Sequence, residues 1–275
     1  MSTPTTHSDF ETVNFSLSGE GVARIELNRP QVLNAWNHQL SAEVLAALRA
    51  AAEDDSVRAI AITGAGRAFS SGADLKDMSA PEADADAEAS TGVYGVLTER
   101  YHPIMQLIRE LPKPVVAVVN GPAVGIGCSL ALCCDLIVAA ESAYLLLAFV
   151  NIGLVPDGGS SLLLPSRAGF ARATEMAMLG ERIPAARALE WGLINRVAPD
   201  ERLEEVAQEL LGRLAAGPTR AYAGIKRQLN SWVYGRMAEQ LDLEARIQEE
   251  MAGSADFVEG VTAFLQKRPA SFSGR

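Results

Sequence analysis

Three glycine-bearing turns carry the residues best suited to chemistry. They are Gly66-Arg-Ala-Phe-Ser-Ser-Gly-Ala-Asp-Leu75, Asn120-Gly-Pro-Ala-Val-Gly-Ile-Gly-Cys-Ser-Leu130 and Gly153-Leu-Val-Pro-Asp-Gly-Gly-Ser-Ser161. Glycine permits backbone conformations that expose N–H groups. Two such turns facing each other can aim two N–H donors at one oxygen, the geometry of an oxyanion hole. The plainer alternative is a set of tight strand-to-helix turns without a ligand, since glycine turns are common. Other chemistries fail on spacing. Gly125-Ile-Gly127 is followed by Leu130, where a dinucleotide fingerprint requires Gly or Ala. There is no Gly-x-x-x-x-Gly-Lys-Ser/Thr loop and no Gly-x-Ser-x-Gly elbow. No histidine lies in the turns, which speaks against a serine hydrolase.

Turns of this kind need strands before them and helices behind them. Ala23, Ile25 and Leu27 alternate with Arg24, Glu26 and Asn28, a half-buried strand that Asn28-Arg-Pro30 stops. Leu40, Val44, Ala47, Leu48 and Ala51 recur at helical spacing, which predicts an amphipathic helix over Asn37–Glu53. Val57–Ile62 and Val115–Val119 read as buried strands, each closed by a glycine turn at Gly64 or Gly121. Between them, Ser79–Ser90 is rich in Asp, Glu and Ala and has no apolar stripe, so a mobile loop or a solvent-facing helix is expected. Strands alternating with helices favour an α/β arrangement with parallel pairing. The second half is helical. Pro184 suits the first turn of a helix ending near Gly192. Asp200 suits the N-cap of a helix bearing Leu203, Val206, Leu210 and Leu214. Further helical pattern runs from Thr219 to Leu265. We expect a core domain over 1–192 and a helical C-terminal subdomain over 193–275.

Composition sets outer limits. The chain has 275 residues, 48% hydrophobic and 21% charged, an ordinary globular balance. Its net charge of −10 and pI near 4.9 argue against a broad nucleic-acid or anionic-membrane surface. A small anionic ligand stays open, because backbone N–H groups and a few local cations can hold one. Cys128, Cys133 and Cys134 cluster in an apolar stretch and fit buried thiols in a reducing compartment. The three histidines, His7, His38 and His102, are scattered, so no structural metal is expected. The polar N-terminus lacks the features of a signal peptide, and no apolar run approaches the ~20 residues that span a bilayer. A cytoplasmic location is the expectation.

At this point the residues carry a resemblance. The chain resembles the crotonase, or enoyl-CoA hydratase/isomerase, superfamily over nearly its whole length after Val13. The matching text includes Leu27-Asn-Arg-Pro30, Leu33-Asn-Ala35, Thr63-Gly-Ala-Gly-Arg-Ala-Phe69 and Ser71-Gly-Ala-Asp-Leu75. It continues through Lys113-Pro-Val115, Val119-Asn-Gly121, Gly125–Gly127, Cys134-Asp135 and Gly153–Gly159. Ala188-Leu-Glu-Trp-Gly-Leu193 and Glu259-Gly-Val-Thr-Ala-Phe264 complete it. Arg100-Tyr101, Ala148-Phe149 and Phe264-Leu-Gln-Lys-Arg268 look most like its bacterial 1,2-epoxyphenylacetyl-CoA isomerase branch. The resemblance implies a spiral of ββα units with a helical C-terminal trimerisation subdomain. It also implies homotrimers, often paired into hexamers, and an acyl-CoA thioester as substrate in lipid metabolism. Coenzyme A then enters with the substrate, and no separate cofactor is implied.

The family's two oxyanion donors map onto the N–H groups of Ala73 and Ile126. The second position is normally glycine or another small residue, so Ile126 departs from the pattern. Hydratases of the family carry two glutamates, and those positions here are Ser129 and Phe149. Water addition needs groups that activate water and deliver a proton, and neither residue does so readily. Asp157 matches the position where several isomerases of the family carry a proton-shuttling aspartate. An Asp before Gly-Gly at a helix start is also a good N-cap, and the two roles can coexist. Capping would lower its pKa, whereas an apolar pocket would raise it.

Ser129 is expected at the helix surface or against substrate, and Phe149 as pocket lining. Asp74 and Asp135 are expected in turn and cap roles, and His102 in surface or pocket-edge packing. Arg29, Leu33, Ala35, Phe69, Ser71, Asp74 and Leu75 resemble contacts around the CoA, and Lys267 with Arg268 could reach phosphates. An acyl-CoA isomerase is therefore expected, with Asp157 moving the proton. A hydratase and a catalytically silent acyl-CoA-binding protein are the alternatives.

Overall fold

The computed structural model describes residues 5–7, 10–75 and 92–275. The acidic stretch Ser79–Ser90 lies outside the described residues.

The chain opens with β1 (Thr5–His7), β2 (Val13–Leu17) and β3 (Val22–Leu27), paired antiparallel in that order. In β3 the alternation in sequence becomes alternation in space: Ala23, Ile25 and Leu27 are fully buried while Arg24 and Glu26 are half-exposed. Next comes α1 (His38–Glu53), started by Asn37, whose side chain accepts the Leu40 N–H at 2.9 Å. Its buried stripe is the one the spacing predicts, with Ser41 added. β4 (Ala59–Gly64) is buried along its whole length and runs parallel to β3. It starts two residues later than the sequence suggests, because the Val57 N–H closes a turn onto the Asp54 oxygen at 3.0 Å.

After residue 92 the chain rises through α2 (Val93–Val96), a π-helical turn (Leu97–Tyr101) and α3 (His102–Glu110) into β5 (Val115–Val119). Then come β6 (Ala123–Val124), α4 (Ile126–Cys133), β7 (Leu136–Ala140), β8 (Tyr144–Leu146) and a 3-10 turn (Phe149–Ile152). The next elements are α5 (Ser160–Ala168), α6 (Phe170–Leu179), β9 (Ile183–Pro184), α7 (Ala185–Glu190) and β10 (Arg196–Ala198). Four helices finish the chain: α8 (Leu203–Ala215), α9 (Thr219–Val233), α10 (Met237–Ala252) and α11 (Ala255–Gln266).

The main sheet has the order β1-β2-β3-β4-β5-β7-β10, with every pair from β3 onward parallel. Its central strands are apolar at nearly every position and buried on both faces. A small sheet of β6, β8 and β9 lies beside it. This mixed α/β architecture, with a parallel sheet and C-terminal helices, is the expected fold class.

The sheet continues past residue 192: β10 pairs with β7, and α8 packs on β4 and β7. Asp200 does not cap α8. Its carboxylate accepts the Ser142 N–H at 3.0 Å, and a 3-10 turn (Asp200–Arg202) separates it from the helix, whose N-cap is Arg202. The last helices fold back onto the core. α10 packs against α2, the π-helical turn and α5, and α11 packs against the turn at Phe149–Ile152. Among the described residues no helix is long and apolar enough to cross a membrane.

Candidate active site

The first turn is fixed from beneath by buried polar side chains. Asn34 Nδ2 donates to the oxygens of Ala65, Ala68 and Phe69 at 3.0, 2.9 and 3.3 Å. Ser70 Oγ accepts from Trp36 Nε1 at 3.1 Å and from the Gly72 N–H at 3.2 Å, and donates to the Asn34 oxygen at 2.9 Å. The Trp36 N–H donates to the Gly72 oxygen at 2.8 Å, and the Asp74 N–H to the Trp36 oxygen at 2.9 Å. In such a ladder alternate residues face the same neighbour. Ala73, between the two bonded residues, therefore turns its N–H away from Trp36. That N–H has no acceptor among the described residues.

The second turn lies against the first. Gly125 sits at φ 53°, ψ −126°, a conformation glycine adopts without strain. A Cβ on Gly125 would lie 3.7 Å from Gly72 Cα, and a Cβ on Gly127 would collide with Ser70 Cβ at 2.5 Å. The two turns thus touch at Gly72 and Gly125, and the approach of Ser70 to Gly127 leaves no room for a Cβ there. Ile126 opens α4, a fully buried helix. Its N–H belongs to the unbonded first turn, at the positive end of the helix dipole, and it has no acceptor among the described residues. Ala73 and Ile126 each follow one of the two touching glycines.

The third turn brings an acid alongside. Asp157 is 5% exposed. Its main-chain oxygen accepts from Ser129 Oγ and Ser160 Oγ, both at 2.8 Å. A Cβ on the next residue, Gly158, would lie 2.7 Å from Ile126 Cδ1 and 2.9 Å from Ser129 Cβ. The acid-bearing turn is therefore packed directly on Ile126.

The carboxyl of Asp157 does not cap α5, contrary to the expected N-cap role. Its Oδ2 accepts from Gln248 Nε2 at 3.1 Å, and its Oδ1 is buried without a partner among the described residues. The capping carboxylate comes from α10 instead: Glu244 accepts the Gly159 N–H at 2.7 Å and the Ser161 N–H at 2.9 Å. Burial, with a smaller push from the Glu244 charge, raises Asp157 to about 8. Burial also raises Glu244, to about 7, against the pull of its N–H donors.

Phe149 is buried, with its ring edge 3.9 Å from where a Cβ on Gly125 would stand. Ser129 is fully buried rather than at the helix surface, and its hydroxyl is committed to Asp157's main chain. Arg29 pairs with Asp74 at 3.2 Å and donates to the Ala35 oxygen, which gathers three expected CoA-side residues. Leu33 is in the left-handed region at φ 54°, and its oxygen accepts the Ser71 N–H at 2.9 Å. Phe69 is fully buried, and Leu75 lies half-buried at the edge of the described residues. Lys267 is exposed at the end of α11, and Arg268 is taken up by Glu259 at 2.6 Å.

Asp135 is a half-buried ion-pair hub rather than a helix cap, held by Lys226 at 2.8 Å and Arg109 at 3.1 Å. His102 is buried rather than at the surface, and burial lowers it to about 4, so it is neutral. An open cavity of about 700 Å³ between the end of α3 and α9 contains none of the candidate residues. Among the described residues no cluster of His, Cys, Asp or Glu could hold a metal ion.

Sequence reasoning missed Glu244 and Gln248. They stand on a helix whose pattern marks them as solvent-facing polar residues. Their spacing of four, on the stripe of Leu241 and Ala245, is the one signal that could have placed them inside.

Residues 18–275 match the family model for enoyl-CoA hydratase/isomerase. The chain is 43% identical over 266 residues to a Rhodobacter capsulatus protein named "Probable enoyl-CoA hydratase", covering 97% of this chain and 99% of that one. It is 42% identical to the 1,2-epoxyphenylacetyl-CoA isomerase of Escherichia coli, covering 93% and 96%. A crystal structure of an enoyl-CoA hydratase from Mycobacterium avium subsp. paratuberculosis superposes with a TM-score of 0.85 at 39% identity, covering 96% and 99%.

Proposed function

The chain belongs to the enoyl-CoA hydratase/isomerase family, and within it we propose that it acts as an acyl-CoA isomerase. In this reading the thioester oxygen of an enoyl-CoA sits between the N–H groups of Ala73 and Ile126. Asp157 takes a proton from C2 of a 3-enoyl-CoA, and the C–H electron pair moves onto the thioester as an enolate. Two N–H donors stabilise that charge, each contributing about 3–4 kcal/mol. The enolate then collapses: the carbonyl re-forms, a double bond forms between C2 and C3, and C4 takes the same proton back from Asp157. One acid suffices, and no water enters the balance.

One observation carries the reading: Asp157, on the turn packed against Ile126, keeps a carboxyl oxygen without a partner among the described residues. Glu244, the other nearby carboxylate, is engaged by two N–H donors. Phe149 cannot transfer protons, and the Ser129 hydroxyl is already committed. A base whose pKa lies near the working pH is also the more effective one. The E. coli relative is named for an isomerisation. The Rhodobacter relative is named for hydration, so a hydratase is the reading to test against.

The test is an Asp157→Asn variant assayed with a 3-enoyl-CoA and, separately, with crotonyl-CoA. Loss of double-bond migration by about 100-fold or more supports the proposal. Unchanged turnover removes Asp157 from the mechanism, and rapid formation of 3-hydroxyacyl product by the unmodified enzyme favours the hydratase.

The proposed assembly is a homotrimer or a dimer of trimers. In support, Ile225, Leu229 and Trp232 form an exposed apolar stripe on α9, and Phe264 and Leu265 are exposed on α11. Light scattering on the purified protein tests it, and a monomer would overturn it.

A further inference from the structure

Glu244 and Gln248 stand one turn apart on α10 and are 4% and 1% exposed. No step of the reaction above uses either. Both are long polar side chains whose burial is unfavourable unless every polar atom is bonded. A leucine or methionine would fill either position without burying a carboxylate or an amide.

Both point their polar atoms at one segment, the loop that bears Asp157. Gln248 makes two bonds there: its Oε1 accepts the Val155 N–H at 3.0 Å, and its Nε2 donates to Asp157 Oδ2 at 3.1 Å. An amide anchored at one end can offer its donor in one direction only. It ties down one carboxyl oxygen and leaves Oδ1 without a partner among the described residues. Glu244 holds the far side of the loop through the Gly159 and Ser161 N–H groups. We propose that Gln248 and Glu244 are positioning residues for Asp157. Gln248 selects which carboxyl oxygen is free to meet the substrate, and Glu244 holds the loop and, when ionised, places a negative charge beside it.

Glu244 is the one charged group acting on Asp157 among the described residues. The side chains nearest Gly158 and Gly159 of this turn are uncharged: Ile126 and Ser129 from α4, Met105 from α3, Leu163 from α5, and Met237 and Leu241 from α10. A negative neighbour raises a carboxyl's pKa, and a donor to the ionised form lowers it. The two residues therefore act on Asp157 in opposite directions, in agreement with the causes of its raised value. Because α10 belongs to the C-terminal helices, this part of the chain reaches the proposed chemistry from the opposite end of the sequence.

The inference rests on the isomerase reading. It is tested by measuring 3-enoyl-CoA isomerisation against pH for Glu244→Gln and Gln248→Leu, with thermal melts to confirm folding. For Glu244→Gln, the acidic limb of kcat/KM is expected to move down by about one pH unit. For Gln248→Leu, the limb is expected to move up, and kcat to fall by about tenfold with KM little changed. Unmoved limbs in folded variants, or shifts of the opposite sign, would overturn the proposal. Should Glu244→Gln not fold, Gln248→Leu carries the test alone, and an unchanged profile there overturns it. Asp157→Asn separates the two levels. If that variant stays active, the isomerase reading fails. If it is inactive while both positioning variants behave as wild type, only this inference fails.

Discussion

Ser129 Oγ donates a 2.8 Å hydrogen bond to the main-chain oxygen of Asp157. It fastens the helix that presents the Ile126 N–H to the loop that presents the acid. Ser160 donates to the same oxygen, so the loop is held from its own helix as well. A helix and a loop, bonded through residues 28 apart in sequence, are thereby locked in one relative position, which is what a donor and a base working on one substrate require.

The acid is held at a cost in stability that depends on pH. Asp157 is raised from 3.8 to about 8 in the folded chain. Between those values the folded state binds the proton and the unfolded chain releases it, so stability falls as pH rises through this window. Asparagine has no such proton. Asp157→Asn should therefore melt higher than wild type near pH 8, with the gap closing at acid pH, while losing isomerase turnover. Thermal melts across the window check this, and a gap that widens toward acid pH would contradict the raised pKa.

Gly125 adopts a backbone conformation closed to other residues, and Ile126 follows it. Alanine at 125 forces the turn to relax by about 1–3 kcal/mol of strain. The relaxation moves the Ile126 N–H off its target. Gly125→Ala should lower kcat by about 100-fold and affect KM less, as steady-state kinetics would show. A change confined to KM would mean that this N–H does not act on the developing charge.

Ile126 packs its side chain on the turn next to Asp157, at Gly158, and burial is the main reason for the raised pKa of Asp157. Ile126→Ala keeps the N–H but opens space beside the acid. Stability should fall by about 2–5 kcal/mol. The acidic limb of the rate profile should move to lower pH as the acid is rehydrated. Denaturant melts and a pH–rate series test both effects on one variant.

Ser70 joins three partners beneath the first turn. Ser70→Ala leaves the Trp36 indole N–H and the Gly72 N–H buried without an acceptor, at about 1–3 kcal/mol each. A lower melting temperature together with reduced kcat is expected, because Ala73 is placed through Gly72. Full activity in the variant would show that the turn keeps its shape without the hydroxyl.

Much of this molecule is legible in the residues alone. The alternation at Ala23–Leu27, the helical stripe from Leu40 to Ala51 and the apolar run Val115–Val119 each name an element, because period and burial are local properties of the chain. The glycines at 72, 125 and 158 mark turns for the same reason: a positive φ is a demand on one residue. Only the tertiary structure decided what Asp157 does with its carboxyl. Beside Gly-Gly it reads as an N-cap, yet Glu244, 87 residues later in the chain, takes the N–H groups of that helix and Gln248 takes one oxygen of the acid. Electrostatics and desolvation depend on which groups stand within a few ångströms, and the fold of α10 onto this loop sets that distance.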